Sequence, residues 1–236
     1  MTTDHAHHHD AGHDAGAGGA EASHDGYTLF TVHRRGSAGA GGAPIADELA
    51  AVEATGVVVR GVYDVSGLRA DADIMVWTHG SDPQALQAAA RRIRRSAELS
   101  GTTLTWSAMG VHRDAEFNKS HVPGFLRGIG PKGWLTVYPF NRSYDWYLLP
   151  PEDRSRMLAE HGRAGAAYRG VLANTVSAFA LGDYEWLLPL EADDLTELVD
   201  MMRELRGTEA RLHVREEVPF FTGRRIETHE IEEVLA

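Results

Sequence analysis

The sequence predicts an α+β fold made of two tandem β-α-β-β-α-β units, with antiparallel sheets and helices on their outer faces. Segments with the alternating polarity of strands occur in each half, and segments with helical spacing separate them in the same order. The hairpin GVYDVSGLRADADIMVWTH of the first half also returns, in altered form, as SAFALGDYEWLLPLE in the second. The duplication implies two four-stranded sheets that pack face to face or close into a barrel.

The first unit is expected over residues 27–113. Its strand, helix, two strands, helix and strand are predicted at Tyr27–Arg35, Ile45–Ala54, Val57–Ser66, Asp73–His79, Pro83 to about Leu99, and Thr103–His112. The start of the second helix is well marked, because Ser81 and Asp82 can cap it and Pro83 suits its first turn. This order is that of a ferredoxin-like repeat.

The second unit is expected over residues 133–226, after a connecting loop at 114–132 that contributes to the functional site. Its elements, in the same order, are predicted at Trp134–Phe140, Pro151–Arg169, Val171–Leu181, Tyr184–Leu190, Asp193–Leu205 and Arg211–Val218. Residues 1–26 are a His-, Asp-, Ala- and Gly-rich stretch that we expect to be a disordered tail, and 227–236 form a C-terminal tail. Sheet edges and helix faces left open by such a fold predict an oligomer.

The composition excludes several function classes. The 34 acidic and 23 basic side chains give a net charge of −11, which disfavours nucleic acid as a partner. The chain has no Cys, which excludes thiolate catalysis, disulfides and iron–sulfur clusters. It has neither an apolar run of the roughly 18 residues needed to span a membrane nor a signal-peptide core, so we expect a cytoplasmic protein. The His residues of the tail could chelate a metal, although adjacent His on a flexible segment fixes no geometry.

His161 is the first candidate for a site residue. It lies in the helix predicted to begin at Pro151, on the face expected to be buried. The residues that share this face are Met157, His161, Ala164, Gly165 and Tyr168. A single His on an apolar face is more often a hydrogen-bonded core residue, and iron ligation is the alternative.

Tyr138 and His121 are the candidates for catalysis. Tyr138 alternates with Trp134, Thr136 and Phe140, so the four share one face of a strand, either as a core stripe or around a redox-active phenol. His121 precedes a Val-Pro-Gly turn in the connecting loop, where it is either a solvated side chain or a general base near pH 7.

Polar and cationic residues follow Tyr138 in the sequence. Arg142, Tyr144 and Trp146 could anchor a carboxylate through guanidinium, phenol and indole donors. Further cations that could act in this way are Arg127, Lys132, Arg211 and Arg215. Each of these charges taken singly is more often an ordinary surface residue.

These segments together resemble the chlorite dismutase-like superfamily and, within it, the actinobacterial coproheme decarboxylases. The likeness spans about Tyr27 to Ile226. The segments that carry it are His121-Val-Pro123, Trp134-Leu-Thr-Val-Tyr-Pro-Phe140, Arg142-Ser-Tyr-Asp-Trp-Tyr-Leu-Leu149, the helix with His161, and Val218-Pro-Phe-Phe-Thr-Gly-Arg224.

The resemblance implies a homopentamer that removes two propionate carboxyl groups from iron coproporphyrin III (coproheme) and yields haem b through a three-propionate intermediate. Coproheme is then both substrate and redox cofactor, hydrogen peroxide is the oxidant, and the iron-inserting chelatase is a transient partner. His161 matches the iron ligand, His121 the distal base, and Tyr138 the group that takes hydrogen from the propionate. Trp146 and Arg142 match positions near the reacting propionates, and Tyr144 and Ala210 are further candidates for binding the porphyrin.

Ala210 bears on the alternative functions. Chlorite-splitting members of the superfamily need a distal Arg, and Ala210 is the residue aligned there, which speaks against chlorite decomposition. Arg211 is adjacent, and a shift of one residue along a strand would exchange the two side chains. Chlorite dismutase, a dye-decolourising haem peroxidase and a non-enzymatic haem-binding protein remain the alternatives.

Overall fold

The computed structural model describes residues 26–37, 39, 41–113 and 122–236. The tail expected at 1–26 lies outside the described residues apart from Gly26, and so does His121 with the preceding part of the connecting loop.

The first repeat has the predicted order of elements. They are β1 (Tyr27–Arg34), α1 (Ile45–Glu53), β2 (Val58–Asp64), β3 (Ile74–Gly80), α2 (Pro83–Ile93) and β4 (Thr103–Val111). The four strands are antiparallel, in the order β4–β1–β3–β2. Helix α2 starts as expected, because the Asp82 side chain accepts a hydrogen bond from the backbone NH of Gln84 at 2.8 Å. It ends six residues earlier than predicted, and turns continue the chain to β4.

The second repeat is less regular. Its elements are β5 (Trp134–Arg142), α3 (Pro151–Ala166), β6 (Leu172–Ala173), β7 (Val176–Ser177), β8 (Trp186–Ala192), α4 (Leu195–Leu205), β9 (Val214–Glu216) and β10 (Phe221–Ile226), and α5 (Ile231–Leu235) follows them. Two 3-10 helices lie at Trp146–Leu148 and Glu209–His213. Within the described ranges, no helix combines the length and the apolar character needed to cross a membrane.

Two strand predictions in this repeat are wrong. The strand expected at Val171–Leu181 is broken into β6 and β7, because the side chain of Asn174 between them donates to the Leu172 carbonyl and to Glu191. The strand expected at Arg211–Val218 is mostly a 3-10 helix followed by the short edge strand β9. The fourth strand of the repeat is β10, which pairs with β5.

The two sheets close into one barrel. Strand β10 of the second repeat pairs with β2 of the first, with Arg224 opposite Asp64. On the other side β4 pairs with β7, with Val111 opposite Ser177. Together with the β5–β8 pairing, these contacts form the closed antiparallel ring β8–β7–β4–β1–β3–β2–β10–β5. The barrel alternative of the sequence prediction is therefore confirmed.

A buried ion pair joins the two repeats inside this barrel. The guanidinium of Arg60 on β2 lies 2.7 Å from Oε1 of Glu191 on β8, and the two side chains are 4% and 0% exposed. Arg60 also donates to the carbonyl oxygen of Ile129 at 3.0 Å, and Asn174 donates to the Glu191 carboxylate. The pair therefore also holds the end of the connecting loop.

The two repeats differ in how their helices cover the outer face of the barrel. In the first repeat this layer is filled by aliphatic side chains, among them Leu29, Ile45, Leu49, Val52, Leu86 and Ile93. In the second, α3 is 16 residues long but buries only Arg154 and Met157, whereas α1 buries three of its nine residues. Helix α3 packs mainly on α4 and on the 3-10 helix Glu209–His213. Much of its length is therefore exposed or half-buried.

Candidate active site

Tyr138 lies on the outer face of the barrel, under the helices of the second repeat. Its neighbours on β5, Leu135 and Val137, point into the barrel interior, while Tyr138 packs in the cluster that includes α4. The side chain is only 3% exposed, and its hydroxyl contacts Sδ of Met202 at 3.5 Å. Burial, helped by the negative charge of Glu217, raises the pKa of the phenol. The phenol therefore stays protonated at neutral pH.

The helical spacing predicted that His161 shares a buried face of α3 with Met157; Met157 is buried, whereas His161 is half-buried. The Nδ1 atom of His161 is 3.1 Å from Oγ1 of Thr208, just beyond the end of α4. Burial and the positive charge of Arg142 lower the pKa of the imidazole, and the charges of Glu217 and Glu160 act in the opposite direction. At neutral pH the ring is uncharged, which is the form that can bind a metal.

Arg142 and Trp146 are brought together on the side of the site near His161. The guanidinium of Arg142 lies 4.1 Å from the ring centroid of Trp146 and 4.9 Å from that of Phe140. Trp146 is 2% exposed and packs with Met157 of α3. Stacking on two aromatic rings holds the guanidinium in place, where its charge also acts on His161.

Tyr144 lies apart from this group. Its side chain is 81% exposed, and Arg215 donates to its hydroxyl at 2.9 Å while stacking on its ring. Lys132, another cation singled out in the sequence, pairs with Asp193 at 2.9 Å. The structure thus brings Arg142 and Trp146 to the site and leaves Tyr144 at the surface.

Ala210 is buried in a packed cluster with Trp146 and Met157. Because Glu209–His213 is a 3-10 helix, the strand alternation that would exchange Ala210 and Arg211 does not apply here. Arg211 points instead to the carboxylate of Glu217 at 3.0 Å.

A carboxylate held by two arginines is the feature that sequence reasoning missed. Glu217 accepts from Arg206 through Oε1 at 2.9 Å and from Arg211 through Oε2 at 3.0 Å. Its charge affects the pKa of both Tyr138 and His161, so the cluster lies within electrostatic reach of both candidates. The convergence depends on the 3-10 helix and the edge strand β9, neither of which has a clear sequence signal.

Two imidazoles lie near Arg142 and Trp146 among the described residues: His161, the candidate ligand, and His213, whose ring centroid is 5.4 Å from that of Trp146. Within the described part of the chain, no three or more His, Asp or Glu side chains are grouped so as to hold a metal ion. His161 suits a metal whose other bonds come from a different chelator, such as a macrocycle.

Comparisons with known proteins agree with this architecture. The chlorite dismutase family model matches residues 42–226, which is most of the chain. The chain belongs to the chlorite dismutase family. Solved structures of chlorite dismutases have the same fold as this chain. They include the chlorite dismutase of Candidatus Nitrospira defluvii as an arginine-to-alanine variant, with a TM-score of 0.74, 19% identity, and coverage of 89% of this chain and 94% of that one.

Two curated proteins are closer in sequence to this chain. The coproheme decarboxylase of Mycolicibacterium smegmatis is 54% identical over 207 residues, which cover 85% of this chain and 90% of that protein. The coproheme decarboxylase of Thermus thermophilus is 28% identical over 188 residues, which cover 75% of each chain.

Proposed function

We propose that this chain is a coproheme decarboxylase. The observation that carries the proposal is the 54% identity to the coproheme decarboxylase of Mycolicibacterium smegmatis over most of both chains. The substrate is iron coproporphyrin III, and the reaction turns two of its four propionates into vinyl groups. The product is haem b, formed through a three-propionate intermediate in the coproporphyrin-dependent route to haem.

The reaction consumes one hydrogen peroxide for each propionate. A propionate, a proton and hydrogen peroxide give a vinyl group, carbon dioxide and two molecules of water. The propionate loses two electrons in this step and the peroxide gains them. The iron of the substrate supplies the redox chemistry, and the protein supplies binding, orientation and the groups that move hydrogen.

The space beside α3 suits the substrate. A porphyrin needs a flat opening next to the ligand of its iron, and α3 carries His161 beside the exposed Gly162 on a helix that buries few side chains. Among the described residues, no atom outside its own helix lies within 4 Å of where a Cβ on Gly162 would stand. We assign His161 as the axial ligand of the iron. A neutral imidazole is the form this role requires.

Tyr138 is assigned as the group that takes hydrogen from the β-carbon of the reacting propionate. The reaction needs a phenol that is protonated at rest, which a tyrosine is at neutral pH even with its ordinary pKa, and burial raises the pKa of Tyr138 further. Once the phenol has lost an electron and its proton, its oxygen accepts the hydrogen atom. The aromatic neighbour Phe220 limits access of water to the ring.

The remaining assignments follow the family pattern. His121, outside the described residues, is the base that deprotonates peroxide, and Arg142 and Trp146 lie near the reacting propionates. Ala210, packed against Trp146, is assigned to the wall of the porphyrin site and leaves no arginine at the position that chlorite decomposition requires, and Tyr144, at the surface, is assigned to its outer rim. We further propose a cytoplasmic homopentamer that meets the iron-inserting chelatase transiently. The second repeat, residues 133–226, binds the porphyrin, and the loop 114–132 completes its distal side.

The test is to load the protein with coproheme, add hydrogen peroxide stepwise and follow the porphyrin by mass spectrometry. The expected result is loss of two carboxyl groups in succession, with the three-propionate species appearing first. Oxygen evolution from chlorite would instead assign a chlorite dismutase. A porphyrin of unchanged mass would assign a haem-binding protein without this activity.

A further inference from the structure

A short chain of hydrogen bonds runs from His161 to the end of α4. The hydroxyl of Thr208 donates to the carbonyl oxygen of Leu205 at 2.9 Å, and the same hydroxyl oxygen lies 3.1 Å from Nδ1 of His161. The Leu205 carbonyl belongs to the last turn of α4, where the carbonyl groups have no partner within the helix. Thr208 is 8% exposed, so water does not compete freely for these bonds.

These two hydrogen bonds determine which nitrogen of the His161 imidazole carries the proton. A threonine hydroxyl has one hydrogen, and here the Leu205 carbonyl takes it, so the oxygen can only accept from His161. Nδ1 of His161 must then be the N–H donor, and Nε2 keeps its lone pair. In water a neutral histidine prefers the opposite arrangement, with the proton on Nε2.

We infer that Thr208 is a positioning residue that fixes His161 in the Nδ1–H form and thereby presents Nε2 to the iron of the substrate. The identity of the metal depends on the proposed function, whereas the tautomer is inferred from the hydrogen bonds alone. Metal-binding histidines commonly donate their other N–H to a partner that sets ring orientation and basicity. A hydroxyl is a weaker acceptor than a carboxylate, so the ligand is a neutral imidazole of moderate basicity.

The first repeat contains the same arrangement without an open ligand position. Nδ1 of His33 lies 3.1 Å from Oγ1 of Thr102, which donates to the carbonyl of Leu99 at 2.7 Å. Nε2 of His33, however, lies 3.3 Å from Oγ1 of Thr31, and the ring is buried. A substitution at Thr102 is therefore a useful control, because it removes a bond of the same kind that has only a structural role.

The first experiment uses the protein without porphyrin. Long-range proton–nitrogen NMR on ¹⁵N-labelled protein distinguishes the two tautomers, and His161→Ala identifies the resonances of this ring. We expect Nδ1–H in the wild type and in Thr208→Ser, and a shift towards Nε2–H in the near-isosteric Thr208→Val. An unchanged Nδ1–H signal in Thr208→Val would overturn the inference, and thermal unfolding confirms that the variant is folded.

The second experiment uses protein loaded with coproheme and reduced to the ferrous state. Resonance Raman should show an iron–histidine stretching band that weakens or moves to lower frequency in Thr208→Val and returns in Thr208→Ser. Thr102→Val should leave it unchanged. The same band in wild type and Thr208→Val would refute a role at the iron.

The two experiments separate the inference from the proposed function. A band that survives in His161→Ala would remove this residue as iron ligand and overturn the role of Thr208 at the metal. Absence of decarboxylation with an intact Thr208-dependent band would instead refute the proposed reaction and support the inference.

Discussion

The ring of Phe220 is stacked on the ring of Tyr138, with centroids 4.3 Å apart and planes inclined by 16°. This contact holds the proposed hydrogen-abstracting phenol by its face and leaves the hydroxyl with a single weak contact to Met202. The ring therefore fixes the position of the Tyr138 side chain, and the hydroxyl carries its proposed reactivity.

Tyr138→Phe should bind coproheme normally and lose at least about 100-fold in decarboxylation rate, since hydrogen transfer needs the hydroxyl and stacking does not. Removing a phenol oxygen whose contact is a thioether costs little stability, roughly 1 kcal/mol or less. Mass spectrometry after peroxide addition gives the rate. Tyr168→Phe is the matched control, because its hydroxyl binds the Asp200 carbonyl in the same cluster. Normal turnover by Tyr138→Phe would exclude the phenol from the mechanism.

Glu217→Gln should bind coproheme more tightly, by about three- to tenfold, because it removes a negative charge that neutralises Arg206 and Arg211 beside the site. The substrate carries four carboxylates, so the gain should diminish as salt is added. Titration followed by porphyrin absorbance measures the dissociation constant. Glu48→Gln, which breaks a pair with Arg92 between the helices of the first repeat, should leave it unchanged. Weaker binding by Glu217→Gln would mean that the carboxylate is needed to hold the arginines.

Acidification should destabilise the fold through His33. Burial and the charge of Arg94 lower the pKa of His33 from 6.5 to about 4. The unfolded chain therefore takes up a proton as the pH falls below 6.5, whereas the folded protein does so only near pH 4, and stability is lost across that window. Between pH 7 and pH 5 this amounts to about 2 kcal/mol. In urea unfolding, His33→Asn should show a pH dependence smaller by that amount; an identical dependence would refute the assignment.

Arg60→Met should be strongly destabilising, by about 3–5 kcal/mol, because it leaves the fully buried Glu191 carboxylate without its partner. The double variant Arg60→Met/Glu191→Leu should recover much of this loss, since no buried charge remains. Arg156→Met, at the surface, should change stability by less than about 1 kcal/mol. Chemical unfolding measures all three, and an effect of Arg60→Met as small as that of Arg156→Met would contradict the argument.

The sequence predicted the elements that depend on local patterns. The strands of the first repeat and α1 were placed within one or two residues, because alternation and helical spacing extend over whole elements there. The face of α3 that carries His161 also followed from spacing. Tyr138 was correctly placed on a shared face with Trp134, although the pattern could not say that this face meets the helices and not the barrel interior.

The sequence could not predict contacts between distant segments. The break at Asn174 depends on Phe125, Leu172 and Glu191, and the last strand of the repeat was missed because FTGRRI has little apolar alternation. No sequence pattern singles out Thr208 or Glu217, because a threonine after a helix and a glutamate in a charged run are both common. Their roles follow only from contacts in the folded protein, those of Thr208 with His161 and of Glu217 with Arg206 and Arg211.

Closure of the barrel makes the second repeat, where the proposed site lies, depend on the first. Each repeat contributes the strands that cover both free edges of the other, at β2–β10 and at β4–β7. Splitting the gene between the repeats would yield two fragments, each with two unpaired strand edges ready to add foreign chains. The first repeat, with its complete aliphatic layer, therefore stabilises the second by covering both of its strand edges.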